Sequence, residues 1–323
     1  MQKKRGSGGF DALRFIKIVG SIIGLLISAM FLVFVGFVFM GFISLFLAED
    51  TTLALGGNVA LIPIKGTIST SDSSSYFQTG GIKSQKIVDW IKEAEKDEKI
   101  KAIVFDIDSP GGTPVGTAEI ADAIGKAKKP TVAVIHELGA SGAYWVASAA
   151  DVIFANRMST VGSIGVRGSY LEYAGLMAKY NVTYRRLVAG KYKDITSAYK
   201  EMTPEEQALV QSKLDKLHNI FIREVAQNRN LSIEKVSELA TGYIYLGEEA
   251  KELGLVDMLG GNDEAKEYLE KMLNITVTFK EFKAKKGLLE AFSQTAYGAA
   301  YTIGEGMGSV LFGSTKDDLE FSV

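Results

Sequence analysis

A serine set among small residues is the first candidate for chemistry in this chain. Ser141 stands in the run Gly-Ala-Ser-Gly-Ala at positions 139 to 143, directly after an apolar stretch that is typical of a buried strand. At a strand-to-helix turn, a serine hydroxyl can be held exposed at the top of the sheet, with the amide of the next residue, Gly142, directed at the same place. The pattern predicts a nucleophile position, although serine is also common in turns that do no chemistry.

A second glycine-rich turn, Ser-Pro-Gly-Gly at positions 109 to 112, follows the preceding apolar stretch. Proline fixes one backbone dihedral, and Gly111 and Gly112 permit a close approach that leaves amide hydrogens free at the start of a helix. Such amides bind a phosphate or an oxyanion. Neither a dinucleotide fingerprint nor a P-loop lysine follows, so the oxyanion is favoured. An isolated turn of this type is otherwise an ordinary connection.

A serine nucleophile needs a base, and the sequence offers three kinds of candidate. His136 precedes Ser141 by five residues in the predicted strand, and we interpret it as a core or strand-end histidine. His218 shares the apolar stripe of a long predicted helix, which indicates partial burial. A lysine is the remaining candidate, and it acts as a base only when burial lowers its pKa from about 10.4 toward neutrality. Composition does not identify which lysine that is.

The elements that must position these residues alternate between strand and helix patterns. Strands are predicted at 59–64, 100–107 and 131–136. Helices are predicted at 87–94, from the end of the Ser-Pro-Gly-Gly turn through 124, and at 142–150. Residues 71–81 are predicted to form a polar loop. This alternation predicts an α/β fold, a mostly parallel sheet covered by helices. Thr203 and Pro204 predict the start of a long amphipathic helix. Its apolar stripe comprises Val210, Leu214, Leu217, Phe221 and Val225.

Residues 18–48 form an apolar run of 31 residues without a charge. About 20 such residues cross a bilayer, so the run predicts a transmembrane anchor, and its length argues against a cleaved signal peptide. Basic residues precede the run and acidic residues follow it. This asymmetry predicts a cytoplasmic segment at 1–17 and a domain outside the cytoplasmic membrane at 57–290. Residues 291–323 are rich in glycine and small residues, and we interpret them as a tail.

The remaining composition excludes several classes of function. A formal net charge of −2 gives no electrostatic footprint for nucleic acid. The sequence contains no cysteine, which excludes a thiol nucleophile and a thiolate-bound metal. The two histidines lie in different regions, so a histidine-rich metal site is not expected. The proposed chemistry needs no metal or cofactor.

Four motifs, in this order, resemble the signal peptide peptidase A family, whose members are membrane-anchored serine proteases with a Clp-protease and crotonase-like fold. They are the turns at 109–112 and 139–144, the stretch Thr-Val-Gly-Ser-Ile-Gly-Val at 160–166, and Gly-Lys-Tyr-Lys-Asp at 190–194. The resemblance covers roughly residues 58 to 282. Each motif alone is weak, whereas the four together are specific.

The resemblance implies a Ser-Lys dyad, with Ser141 as nucleophile and Lys193 as general base. It further implies an oxyanion hole from the amides of Gly112 and Gly142, and a hydrogen bond from Ser163 that holds the lysine amine. Lys191 and Lys200 are close to Lys193 in sequence, and only the Tyr-Lys-Asp context selects Lys193 among the three.

The family's substrates are signal-peptide remnants and other unfolded polypeptide, so the resemblance implies an endopeptidase acting outside the cytoplasmic membrane. Longer members carry two tandem copies of the domain, with the serine from one half and the lysine from the other. This chain carries one copy with both residues, so we expect a ring-shaped homo-oligomer in which neighbouring protomers share each dyad.

Two other classes remain open from the residues. One is an α/β-hydrolase esterase that uses Ser141, a downstream acid and His218, because the chain order and the near-match at positions 139–143 suit that fold. The other is a membrane scaffold that keeps the fold without catalysis.

Overall fold

The computed structural model describes residues 12–50, 56–71 and 81–283. Most of the predicted cytoplasmic segment (1–11), most of the polar loop (72–80) and the predicted tail (291–323) lie outside the described residues. The chain divides into two compact units, one up to Gly56 and one from Gly57.

Within the first unit, residues Ala12–Asp50 form the helix α1, of 39 residues. Its stretch Val19–Phe37 has a mean hydropathy of 2.4 and is long and apolar enough to cross a membrane. Every side chain described in this stretch is exposed, and no acidic or basic residue lies in it. The predicted apolar run therefore forms one continuous helix.

The second unit alternates strands and helices. Its strands are β1 (Val59–Lys65), β2 (Ile68–Ser69), β3 (Ile82–Lys83), β4 (Ala102–Ser109), β5 (Thr131–Ala140), β6 (Val152–Ala155), β7 (Thr160–Gly162), β8 (Ile244–Leu246), β9 (Met258–Leu259) and β10 (Phe279–Glu281). Its helices are α2 (Ser84–Lys96), α3 (Pro114–Gly125), α4 (Gly142–Ser148), α5 (Ala174–Lys179), α6 (Pro204–Arg229), α7 (Ile233–Leu239), α8 (Gly247–Glu252) and α9 (Asn262–Leu273).

The main sheet has the strand order β10-β1-β4-β5-β6-β9, and every pair along it is parallel. Strand β7 pairs parallel with the end of β5 and antiparallel with β8. A parallel sheet is covered on both faces. One face buries Phe105 and Tyr144 in a core with α2, α3, α4 and α6, and the other buries Val104 and Phe154 against Leu269 of α9. The predicted α/β parallel-sheet fold is confirmed.

Strand β5 runs four residues beyond its predicted end at His136. Ile107 of β4 pairs with Ile135, but Ser109 pairs with Gly139, so β5 carries two extra residues between these pairs. The buried hydroxyl of Ser159 donates to the carbonyls of Ile135 and His136 and holds this bulge. The irregular backbone interrupts the strand pattern, so its continuation was not predicted.

Helix α6 starts as predicted, at a capping box. The Thr203 hydroxyl accepts from the Glu206 amide at 3.2 Å, and the Glu206 carboxylate accepts from the Thr203 amide at 3.0 Å. The predicted apolar stripe is buried only in the second half of the helix, where Phe221 stacks on Trp145 with 5.0 Å between ring centroids. Leu217, in the middle of the helix, remains 36% exposed.

Residues 165–205, which we call the exposed segment, contain no buried residue. The stretch is irregular except for the short helix α5 and the first two residues of α6. It nevertheless carries many large apolar side chains that are more than a third exposed. These include Leu171, Leu176, Tyr180, Val182 and Leu187.

Candidate active site

Ser141 occupies a strained position between a strand and a helix. It is the residue between the end of β5 and the start of α4, and its φ of 53° and ψ of −127° lie where residues other than glycine are rarely found. Such strain persists only where the surrounding structure enforces it. Here the Ser141 amide donates to the Gly162 carbonyl at 2.8 Å, and the Ser141 carbonyl accepts from the Tyr144 amide at 2.9 Å. The serine is thus fixed on both sides at the carboxyl edge of the sheet.

The two glycine-rich turns meet at this edge. A Cβ atom on Gly111, whose φ is 93°, would lie 2.5 Å from the Gly142 amide nitrogen and 3.1 Å from the Ser141 Cβ. A Cβ on Gly142 would lie 3.2 Å from the Gly112 amide nitrogen. Only glycine permits this approach, because a side chain at either position would enter the neighbouring turn.

The amides of Gly112 and Gly142 are unused within the described part of the chain. Ile68 of β2 bonds to the residues on either side of Gly112, donating to the Gly111 carbonyl at 2.9 Å and accepting from the Thr113 amide at 2.9 Å. No described group accepts a hydrogen bond from the Gly112 or Gly142 nitrogen. Two free donors next to a serine hydroxyl can stabilise an oxyanion formed at that serine.

Ser163 follows β7 as Ser141 follows β5. The pairing of Ala140 with Gly162 brings the two strand ends side by side, and Ser163 also has a positive φ, of 50°. Its amide donates to the Tyr243 carbonyl at 2.7 Å, and its side chain is half-buried. The structure thus places Ser163 on the strand end next to that of Ser141.

Lys193 lies in the exposed segment, in a turn closed by a hydrogen bond of 3.1 Å from its amide to the Gly190 carbonyl. Its side chain is exposed, and its amine forms no hydrogen bond or ion pair with any residue that the structure describes. In particular, no hydrogen bond joins Lys193 to Ser141 or to Ser163 within one chain. The structure therefore leaves the lysine unpaired with the serine.

The turn around Lys193 is held by an arginine fork. Arg186 donates from Nε and Nη2 to the two carboxylate oxygens of Asp194, at 2.7 Å each, and Nη2 also donates to the Lys191 carbonyl at 3.2 Å. Paired bonds of this kind fix geometry as well as add energy. The hydrogen bonds from Arg186 hold the pKa of the Asp194 carboxyl below its ordinary value.

The two other lysines near Lys193 are engaged in ion pairs. Lys191 contacts both Glu205 oxygens at 2.8 Å, and this hydrogen bond raises the pKa of Lys191 above its ordinary value. Lys200 contacts the Glu206 oxygens at 2.7 and 2.8 Å, which lowers the pKa of Glu206. The Lys191 amine is thereby held in the charged form, which cannot accept a proton, and the Lys200 amine is occupied by a carboxylate.

Neither histidine bonds to Ser141. The His136 ring forms an ion-pair contact with the buried Asp106, on the sheet face that α9 covers, and lies 3.5 Å from the Asn262 amide. The His218 Nε2 is buried and has no hydrogen-bond partner among the described residues. The sequence predicts a core or strand-end histidine at position 136, but His136 is half-buried within β5, four residues before the end of that strand. His218 is half-buried as predicted. The described residues contain no cluster of ligands that could hold a metal ion.

Sequence reasoning did not single out Arg186 or Thr117, and it used Asp194 only as part of the motif at 190–194, without a role of its own. Arg186 and Asp194 are eight residues apart in an irregular segment, so no periodicity connects them. Thr117 is fully buried against Gly142, and its only sequence signal is its position on the helix that follows the second glycine turn.

Comparison with known proteins gives consistent results. The model of peptidase family S49 matches residues 123–276. A putative protease of Methanocaldococcus jannaschii is 38% identical over 234 residues, which cover 71% of this chain and 74% of the relative. A putative signal peptide peptidase of Enterococcus faecium is 33% identical, with 70% of this chain and 67% of the relative covered. Protease 4 of Salmonella typhi is 33% identical over 65% of this chain but only 34% of its own length.

Proposed function

Because the chain belongs to the signal peptide peptidase A family within peptidase family S49, we propose that it is a membrane-anchored serine endopeptidase with a Ser141–Lys193 dyad. One observation carries the proposal. A serine held in a strained turn stands between two amides, Gly112 and Gly142, that no described group uses. This is the arrangement that acyl transfer through a serine requires.

In the proposed reaction, the Ser141 hydroxyl attacks a peptide carbonyl while Lys193 accepts the hydroxyl proton. The carbonyl oxygen takes the negative charge of the tetrahedral intermediate and accepts hydrogen bonds from Gly112 and Gly142. Lys193 then passes the proton to the leaving amine as the peptide bond breaks, which leaves an ester on Ser141. Water hydrolyses this ester with the same lysine as base. Loss of one oxyanion donor in such a site slows catalysis by about 100-fold to 1000-fold.

The choice of Lys193 over its neighbours is supported by their ion pairs. A general base must be neutral, and Lys191 and Lys200 are each bound to a glutamate. The Lys193 amine has no carboxylate partner among the described residues. In the proposed dyad, Ser163 would orient that amine toward Ser141 by a hydrogen bond.

We further propose that each dyad is completed between two protomers of a ring. The absence of a Ser141–Lys193 bond within the described chain supports this, as does the exposed segment with its large apolar side chains. Apolar surface of this kind marks a protein interface. A contact that joins the Ser141 region of one protomer to the exposed segment of the next is head-to-tail, and such contacts close into rings when the rotation permits.

The proposed substrates are signal-peptide remnants and other unfolded polypeptide outside the cytoplasmic membrane. The similarity to a putative signal peptide peptidase supports this substrate class. Helix α1, which is long and apolar enough to cross a membrane, supports a location at the bilayer. An anchored protease would meet apolar segments as they leave the membrane.

Labelling with a fluorophosphonate probe tests the proposed function. The full-length protein in detergent should be labelled on Ser141, identified by peptide mass spectrometry, and neither heat-denatured protein nor Ser141→Ala should be labelled. Lys193→Ala should lose labelling, whereas His218→Ala should keep it. Dependence on His218 instead would favour the esterase alternative, and a folded protein that is never labelled would favour the scaffold.

A further inference from the structure

Thr117 carries a buried hydroxyl that the mechanism above does not use. Its side chain is completely buried on α3, and its Oγ1 has no hydrogen-bond partner among the described residues. A buried threonine in a helix usually bonds its hydroxyl to the carbonyl four residues earlier. Here that carbonyl, of Thr113, accepts the ordinary helical bond from the Thr117 amide at 3.0 Å, but the hydroxyl makes no bond to it. A buried hydroxyl without a partner opposes folding, so its presence requires an explanation.

The position of the Thr117 hydroxyl explains why it is buried without a partner. A Cβ built on Gly142 would overlap Thr117 Oγ1 and would lie 3.3 Å from Thr117 Cβ and 3.2 Å from the Gly112 nitrogen. The hydroxyl therefore fills the space where position 142 would carry a side chain, next to both candidate oxyanion donors. The other buried polar atoms without a hydrogen bond among the described residues belong to Asp106, which contacts His136, to Trp145, which stacks on Phe221, and to His218 and Asn262.

We propose that Thr117 is a positioning residue of the oxyanion site. Its oxygen sets the orientation of the Gly142 peptide. Its hydrogen, free to rotate, turns toward the negative charge that develops on the substrate carbonyl oxygen. In a site from which water is excluded, such a dipole acts more strongly than it would in solvent. The inference rests on the proposed function, because it needs an oxyanion at Ser141.

Three substitutions separate the hydroxyl from its packing. Thr117→Val keeps the shape and removes the hydroxyl, Thr117→Ser keeps the hydroxyl and removes the methyl group, and Thr117→Ala removes both. We expect Thr117→Val and Thr117→Ala to lower kcat about 10-fold with KM unchanged, less than the loss of a direct donor. Thr117→Ser should recover most of the rate. Ile120→Val, a fully buried change one turn further along α3, controls for altered packing and should keep kcat.

The affinity for a peptide aldehyde, which forms a tetrahedral adduct on a serine, supplies the second readout. It should weaken in Thr117→Val by the same factor as kcat, whereas the affinity for the matching peptide alcohol stays constant. A Thr117→Val variant with wild-type kcat and aldehyde affinity overturns the inference, as does a rate lost in Thr117→Ser and kept in Thr117→Val. Ser141→Ala assayed in parallel separates the two proposals, because activity in that variant would overturn the function itself.

Discussion

The amide of Ser141 donates to the carbonyl of Gly162 at 2.8 Å, which ties the candidate nucleophile to the neighbouring strand. Ser141 and Ser163 each follow the end of one of two adjacent parallel strands, and their φ values are 53° and 50°. The chain therefore takes a positive φ directly after each of these two neighbouring strands, at one edge of the sheet.

Removal of either member of the dyad should abolish peptide hydrolysis without unfolding the protein. We expect Ser141→Ala and Lys193→Ala each to lower kcat by at least about 1000-fold, and the double variant to be no slower than either, because the two groups act as a unit. Turnover of an unstructured peptide and the thermal midpoint are measured together. Lys179→Ala is the matched control, as this lysine is also exposed in the same segment. Substantial turnover in Lys193→Ala would contradict the assignment.

Two inactive variants should restore activity when their protomers mix. A junction between a protomer with native Ser141 and one with native Lys193 contains an intact dyad, so Ser141→Ala mixed with Lys193→Ala should regain part of the wild-type rate. Subunit exchange is monitored by energy transfer between labelled protomers. Exchange without recovered activity would place the dyad within one chain, contrary to the proposed sharing.

The Arg186–Asp194 fork should control how well Lys193 is presented. Arg186→Ala and Asp194→Asn should each lower kcat about 10-fold, and the double variant should lose little more, because both break one interaction. Arg186→Lys should rescue only in part, since an ammonium cannot form the paired bonds. The readout is kcat against KM for each variant. Losses that simply multiply in the double variant would show that the two residues act separately.

The same pair bears on the pH dependence. Arg186 lowers the pKa of Asp194, so the pair's contribution is present above the ordinary carboxyl pKa and is lost only as the pH falls through the lowered value. Activity should instead decline at a higher pH, as the neutral Lys193 amine becomes protonated. In a pH–rate profile, Asp194→Asn should lower the maximal rate. The pH at which the rate falls on the acidic side should stay the same, because that fall reflects protonation of the lysine.

The topology predicts which part of the chain an external protease reaches. With the basic flank retained inside, protease added to wall-stripped cells should digest the large domain and spare about the first 17 residues. Epitope tags at the two ends, followed by immunoblotting before and after permeabilisation, make the measurement. A large domain that is protected until the cells are permeabilised would reverse the predicted orientation.

Regular elements could be predicted from the sequence because their packing follows a period. The buried strand predicted at 59–64 appears as Val59–Lys65, and the helix predicted at 87–94 lies within Ser84–Lys96. Strands β9 and β10 consist of two and three residues, too few for a pattern to identify. The end of β5 was missed because its bulge depends on Ser159, a hydroxyl donor more than twenty residues away.

The candidate site was predicted unevenly for a related reason. The glycine turns are local, so the sequence predicts each of them, and the family resemblance implies that Gly112 and Gly142 form one oxyanion hole. The fork that holds the Lys193 turn, and the burial of Thr117 against Gly142, depend on tertiary contacts between residues of ordinary type. No spacing rule identifies such contacts, since their geometry exists only in the folded chain.

The exposed position of Lys193 has a consequence for the life of the newly made protein. If the general base meets the nucleophile only on a neighbouring chain, activity requires assembly. The activity per chain then rises with the local concentration of chains. A solitary chain would be harmless during export, without a propeptide to inhibit it. Under the proposed anchoring by α1, the chains would be confined to two dimensions, so crowding in the membrane would itself switch the enzyme on, and dispersal would switch it off.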